Sequence, residues 1–461
     1  MKISLKQMIA FLLLWFITIF NTAYAMPPLA PVLELNTRGL EVTAKWNYAS
    51  DATGYKLSYA PTNNIANVTV VDLEEQTNIS NILQNGESLF IAVQAYNEYG
   101  DSPLSNIEHF ALNKRVLLFT EMVDGELTEA RRKLQKAIKE EFNSSPAAER
   151  VNLEVVDVPN HEHLADVFYG LSKTDEKVGL RGYIDDPDVL AIITTSTSMG
   201  LAISAIEHEN PPLIITATAT SEILKDKDNV LLMAPSNDIQ STKMHQELSL
   251  DAKESNNMHK YIIILGDNPG IAIYSFDLNN HLLATSYREE LSILSKGGKN
   301  NIGEVENFAQ LVGTFPYDGS ENSLQLISNM ITTLDVDGAV YMGFPEQFNP
   351  LYNVHPEIKW IVGDGSYAHE DFASGDVRMM VFGGADLNNI QQNLGYDAAN
   401  FLEKVVNALP DFELERDKLL QEAKATEYDG HTGRKGMSVK ENGSYDVVRA
   451  TADKWELVQH P

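Results

Sequence analysis

Two hydroxyl-rich stretches, each closing an apolar run, carry the densest binding chemistry in this chain. Val189–Ile193 leads into Thr194-Thr195-Ser196-Thr197-Ser198, and Pro212–Ile215 leads into Thr216–Ser221. A helix-like segment follows the first. Hydroxyls at two strand ends, one of them opening a helix with free amides, form a cradle for a small polar or anionic ligand. Groups for bond-breaking chemistry are not evident. There is no Gly-x-Ser-x-Gly, no Walker loop and no His-Glu-x-x-His, and the cysteine count is zero. His161-Glu162-His163 reads as solvated surface. Asp185-Asp186-Pro187-Asp188 reads as a turn before a strand, since a calcium loop needs a longer ligand series. The expectation is a binding protein rather than an enzyme, with no catalytic residue, metal or cofactor.

The elements that position these turns alternate. Val116–Phe119, Leu153–Val156, 189–193, 212–215, Tyr261–Leu265, Gly338–Met342 and Trp360–Val362 are apolar strand candidates separated by helical stretches. In the first helix Leu127, Ala130, Leu134, Ala137 and Ile138 share one face, with Asp124 placed to cap it. Strands alternating with helices imply parallel sheets covered on both faces. About 350 residues of this pattern exceed one ordinary domain and fit two lobes.

Residues 27–112 differ. Leu40–Trp46, Gly54–Tyr59, Val68–Leu73 and Leu89–Tyr96 alternate apolar and polar residues between polar turns, as in an all-β sandwich. Ahead of them, Lys2 and Lys6 precede the apolar run Met8–Phe20, and Ala23-Tyr24-Ala25 follows. This reads as a secretory signal, residues 1–25, cut near Ala25, with a periplasmic or secreted product. Without cysteine, neither a lipid anchor nor a disulfide can form. The 65 acidic and 35 basic residues give a net charge of −30, which repels nucleic acid and anionic membrane.

The order of pieces resembles the type I periplasmic binding proteins, the branched-chain amino-acid-binding and receptor ligand-binding family. There a strand, Gly-Pro-x-x-Ser and a helix precede Pro-Leu-Ile-Ser-x-x-Ala-Thr and then Pro-Ser-Asp-x-x-Gln. The last element stands here as Pro235-Ser236-Asn237-Asp238-Ile239-Gln240. Leu394-Gly395-Tyr396-Asp397-Ala398-Ala399 and Gly433–Val439 with Glu441-Asn442-Gly443 resemble its later helix and closing hairpin. The resemblance spans about 115–461 and implies a two-lobed α/β fold with ligand closed between lobes, and hinges near 236–240 and 360–366. In the β-rich segment, Trp46, Gly54–Tyr59, Ile91–Asn97, Gly100 and Ser102-Pro103 resemble a fibronectin type III domain, a spacer or protein-contact module.

The resemblance also implies site residues. Ser198 would cap the helix starting near Met199 and, with the amides of Met199 and Gly200, hold a ligand carboxylate. Two registers fit the second turn, which leaves Thr218 and Thr220 as contacts. Phe344 would pack on the ligand. Asp364, at a strand end, would pair with a ligand ammonium. Tyr367 is a further contact. Pro269-Gly270 stands where the family often has a covering Tyr-Gly, and Tyr274 could replace that tyrosine if the loop re-routes. Two functions follow. The first is an extracytoplasmic solute-binding protein that delivers a small amino-acid-like ligand to a membrane permease or sensor. The alternative is an envelope interaction protein that uses the fold as a scaffold and the fibronectin-like domain to bind another protein.

Overall fold

The computed structural model describes residues 26–122, 126–158, 180–255, 259–267, 272–295, 309–364, 376–383, 389–439, 442–450 and 455–458. The expected signal sequence, Asp124, His161–His163, Pro269-Gly270 and Tyr367 lie outside them. The chain divides into two compact units. One runs to Asn113 and takes in Asp411–Glu413; the other comprises Lys114–Pro410 and Leu414–Pro461.

The first unit contains antiparallel sheets. Its strands are β1 (Leu33–Arg38), β2 (Glu41–Trp46), β3 (Gly54–Pro61), β4 (Thr69–Asp72), β5 (Asn78–Ile82), β6 (Ser88–Asn97), β7 (Gly100–Asp101) and β8 (Glu108–Ala111). β1, β2 and β5 form one sheet in that order. The other runs β4-β3-β6-β7, with β8 also on β6. Trp46 of β2 and Tyr55 of β3 are both buried, with ring centroids 5.9 Å apart, so the two sheets share an aromatic core.

The second unit is α/β. Its first lobe contains β9 (Arg115–Glu121), α1 (Glu129–Ser144), β10 (Asn152–Val158), α2 (Leu180–Asp185), β11 (Val189–Thr194), α3 (Thr197–Ser204), β12 (Leu213–Thr216), α4 (Glu222–Lys225) and β13 (Val230–Leu232). The order β10-β9-β11-β12-β13 is wholly parallel. β11 is buried at every position, as expected for a strand covered on both faces. Thr128 caps α1, accepting from the Arg131 amide, so the cap lies four residues beyond the expected Asp124. Leu134, Ala137, Ile138 and Phe142 form its buried face.

The chain then builds a second lobe from α5 (Asn237–Ser255), β14 (His259–Gly266), α6 (Ala272–Ser295), β15 (Ala309–Tyr317), α7 (Glu321–Leu334), β16 (Gly338–Met342), α8 (Pro345–Val354), β17 (Lys359–Val362) and β18 (Val377–Phe382). It returns through α9 (Ile390–Ala408) and α10 (Arg416–Ala425) to the first lobe. Gly395 of α9 packs so closely on α1 that an added Cβ would meet the Leu134 carbonyl at 3.0 Å. The buried Arg416 guanidinium donates to the carbonyls of Val189, Ile184 and Asn210. After β19 (Tyr428–Gly430) and β20 (Gly433–Lys435), β21 (Tyr445–Ala450) and β22 (Trp455–Leu457) join the second sheet, whose order is β15-β14-β16-β17-β18-β21-β22.

The chain therefore passes between lobes after β13, between β18 and α9, and between β20 and β21. The expected crossing near 236–240 coincides with the first passage. The described part of the expected 360–366 hinge does not form one: β17 is an interior strand paired with β16 and β18. An acidic residue after an apolar strand marks a strand exit, and strand exits occur in the middle of a sheet as well as at hinges.

Candidate functional site at the strand ends between the lobes

Both parallel sheets have the order 2-1-3-4-5 in their first five strands, which leaves a crevice at the carboxyl ends where the direction of winding reverses. The carboxyl ends of the two sheets converge. α3, which follows β11, touches α6, which follows β14. The Asn237 amide, entering the second lobe, donates to the Thr220 carbonyl of the first at 2.7 Å.

In the first lobe the reversal lies between β9 and β11. Glu121 ends β9 fully buried and pairs with Arg131 at 2.9 Å. Burial lowers the Arg131 pKa while Glu121 opposes that shift; a guanidinium remains charged regardless. Ser198 donates its hydroxyl to Glu121 at 3.1 Å. It is not the cap of α3. Ser196 is, accepting from the Met199 amide at 3.2 Å. The expectation misplaced the cap because five consecutive hydroxyl residues offer several candidates, and the helix starts two residues earlier than the glycine-based spacing implied.

The second turn is stitched to the first. Thr218 donates to the Thr195 carbonyl at 3.0 Å, and the Ala217 amide donates to the Thr194 carbonyl at 2.9 Å. Thr195 in turn donates to the Phe119 carbonyl at 3.3 Å. Thr220 is buried beside the crossing. The Thr195 and Thr218 hydroxyls shape the loops by satisfying backbone groups.

In the second lobe Phe344 follows β16 and occupies the cap position of α8, half-buried, with its carbonyl accepting from the Tyr341 hydroxyl at 2.9 Å. Asp364, half-buried at the exit of β17, is a hub. It accepts from Tyr274 of α6 at 2.6 Å, from Tyr445 at the start of β21 at 3.2 Å, and from the Gln240 amide. The Tyr274 oxygen also lies 2.9 Å from Gln240 Oε1, and the Tyr445 oxygen 3.2 Å from the Pro235 carbonyl, so each phenol's single proton is shared between two acceptors. Tyr445 is fully buried, and burial first, then the Asp364 charge, push its pKa well above the usual phenol value. Asp364 thus connects β17, α6 and both the first and third passages between lobes.

The structure brings Asp364 together with Gln240, Tyr274 and Tyr445, and Ser198 with Glu121. Glu121 and Tyr445 had no role in the sequence reading, and Gln240 entered it only through the Pro235–Gln240 motif and the expected hinge. For a carboxylate at the end of β9 and a tyrosine opening β21 the sequence offered nothing beyond ordinary strand ends. A cavity of about 150 Å³, lined by Ile184, Ile203, Ile206, His208 and Ile214 among others, lies at the amino ends of the first-lobe strands, away from these turns. No cluster of three or more His, Asp or Glu suited to a metal occurs among the described residues.

No known family model matches the sequence, and no curated protein matches it. Solved structures do match. A solute-binding protein of an ABC transporter from R. palustris, in complex with benzoate, is similar at TM-score 0.56 and 12% identity, covering 75% of this chain and 95% of its own. The second unit has the fold of type I periplasmic binding proteins. A periplasmic binding protein type 1 from Bordetella pertussis Tohama I matches at TM-score 0.54 and 13% identity over 76% of this chain and 100% of its own. An ABC transporter substrate-binding protein from Desulfitobacterium hafniense, in complex with leucine, matches at 0.50 and 14% over 75% and 100%. These neighbours are binding proteins, not enzymes. No helix among the described residues is long and apolar enough to cross a membrane.

Proposed function

We propose that this protein is an extracytoplasmic solute-binding protein that closes two lobes around a small amino-acid-like molecule and presents it to a membrane permease or sensor. The observation that carries the reading is Asp364: a half-buried carboxylate at a strand end that gathers donors from α6, from β21 and from the first passage between lobes, a position from which it would meet a ligand ammonium. Phe344 would pack on the ligand body. The amides opening α3, with Ser198, would receive a carboxylate, while Thr218 and Thr220 hold the second turn in shape. Tyr367 would complete the second-lobe wall. Leucine and benzoate, carried by two proteins of this fold, both present a carboxylate on an apolar body, which favours solute capture over the scaffold alternative.

In the same reading, residues 1–25 are a cleaved signal, the product is periplasmic or secreted, and the antiparallel N-terminal unit is a fibronectin type III-like spacer that contacts an envelope protein. The test is equilibrium dialysis of the refolded protein against mixed amino acids and organic acids, read by mass spectrometry. Retention of one compound class supports the function; no retention of any compound overturns it.

A further inference from the structure

Glu222 belongs to α4 of the first lobe, and His281 and Asp277 belong to α6 of the second. His281 Nε2 lies 3.3 Å from Glu222 Oε2 and 3.7 Å from Asp277 Oδ1. Asp277 also accepts from the side-chain amide of Asn237, at the first passage between lobes, at 2.8 Å. The three side chains retain 34%, 25% and 17% exposure for Glu222, His281 and Asp277, so water and protons reach them but do not fully screen them.

We propose that His281 is a pH-responsive clasp between the lobes. Protonated, it bridges a carboxylate of each lobe and favours the closed cleft; neutral, it leaves Glu222 facing Asp277 and Asp238 across the crossing, and like charges push the lobes apart. Among the described residues, Glu222 of α4 and Asp277 of α6 face His281 directly, Lys225 of α4 and Asp238 of α5 act on Glu222, and His245 of α5 meets α6 further along, at Ser286. α3, the other first-lobe helix touching α6, has no charged residue. Burial first, then a hydrogen bond with Asp238, raise the Glu222 pKa, so these two carboxyls attract while Glu222 keeps its proton and repel once it is lost. Among the described residues, Lys225 is the cation set against these carboxylates once the imidazole is neutral. The clasp deepens the solute-capture reading, since closure matters only if something is to be enclosed.

The chain has no cysteine, so two introduced ones label it uniquely. Lys139→Cys on α1 and Gln325→Cys on α7 are exposed sites, one in each lobe, for a fluorophore pair. Without ligand, energy transfer should fall as pH rises from about 5 to about 8. The closed-to-open ratio should change by about fivefold, the lower end of ordinary site coupling. His281→Gln should abolish the step, and His281→Arg should keep high transfer at the alkaline end. The same step in His281→Gln, or no step in the parent, overturns the clasp. Adding amino acids and organic acids at fixed pH separates the two ideas. A His281-dependent pH step with no solute response leaves the clasp standing and sinks solute capture; a solute response without the step does the reverse.

Discussion

Tyr274 donates its hydroxyl to Asp364 at 2.6 Å, and it reaches there because the residue before Asp364 is a glycine. A Cβ at Gly363 would overlap the Tyr274 hydroxyl. The tyrosine also holds Gln240, so one phenol connects α6, α5 and the exit of β17. Tyr274→Phe removes a hydrogen bond to a charged acceptor and should cost about 1.5–3 kcal/mol in urea unfolding. A variant as stable as the parent would show that this hub carries no load.

Asp364→Asn keeps the shape of the hub and removes its charge. If the carboxylate meets a ligand ammonium in the partly dry cleft, affinity should fall by about 2–5 kcal/mol in titration calorimetry. Unchanged affinity, with stability intact, removes Asp364 from the ligand site and leaves it a hinge anchor alone.

Two serines, two residues apart, should behave differently. Ser196→Ala loses the cap of α3 and should cost about 1 kcal/mol of stability. Ser198→Ala leaves the cap intact and frees Glu121 of one donor, so its main effect should be on ligand affinity. Denaturation and calorimetry on both variants read the two effects separately.

Lys435 is fully buried in β20, donating to the carbonyls of Asn442 at 2.7 Å and Thr432 at 3.0 Å. Burial pushes its pKa down to about 8, against the pull of Asp397. Between that value and the unfolded value near 10.4, the unfolded chain binds the extra proton, so stability should rise with pH over this window, by on the order of 2–3 kcal/mol. Above about pH 10 the trend should reverse. There the unfolded chain loses phenol protons that buried Tyr445 retains, its pKa being held well above the usual value. Chemical denaturation at pH steps from about 7 to about 11 checks both limbs, and Lys435→Met should remove the rising one.

The alternation of apolar strands and helices was enough to read both parallel sheets of the second unit. Gly338–Met342 matches its observed strand residue for residue. β13, β15 and β18 escaped notice, β13 being only three residues long. β15 is largely half-buried with a mixed sequence, and β18 follows a stretch without a clear helical period. In the first unit Val68–Leu73 covers β4, whereas β5, largely exposed, has weak hydrophobic alternation and was not read. The hydrogen-bonded pairs of the hub at Asp364 are separated by 34 to 124 positions, and only three-dimensional pairing reveals that Gln240, Tyr274 and Tyr445 meet there. The Ser198–Glu121 bond was hidden for the same reason, because 77 residues separate its partners.

The central claim is solute capture, and a thermal-shift screen of the refolded protein against amino acids, small peptides, purines and organic acids tests it most directly. A ligand at about a hundredfold over its dissociation constant adds about 2.7 kcal/mol to the native state. That should raise the transition of the α/β unit by about 5 °C or less for a body of this size. Solute capture predicts such a rise for one chemical class, amino-acid-like compounds first. A melting curve unmoved by every compound, after refolding has stripped any resident molecule, would contradict it.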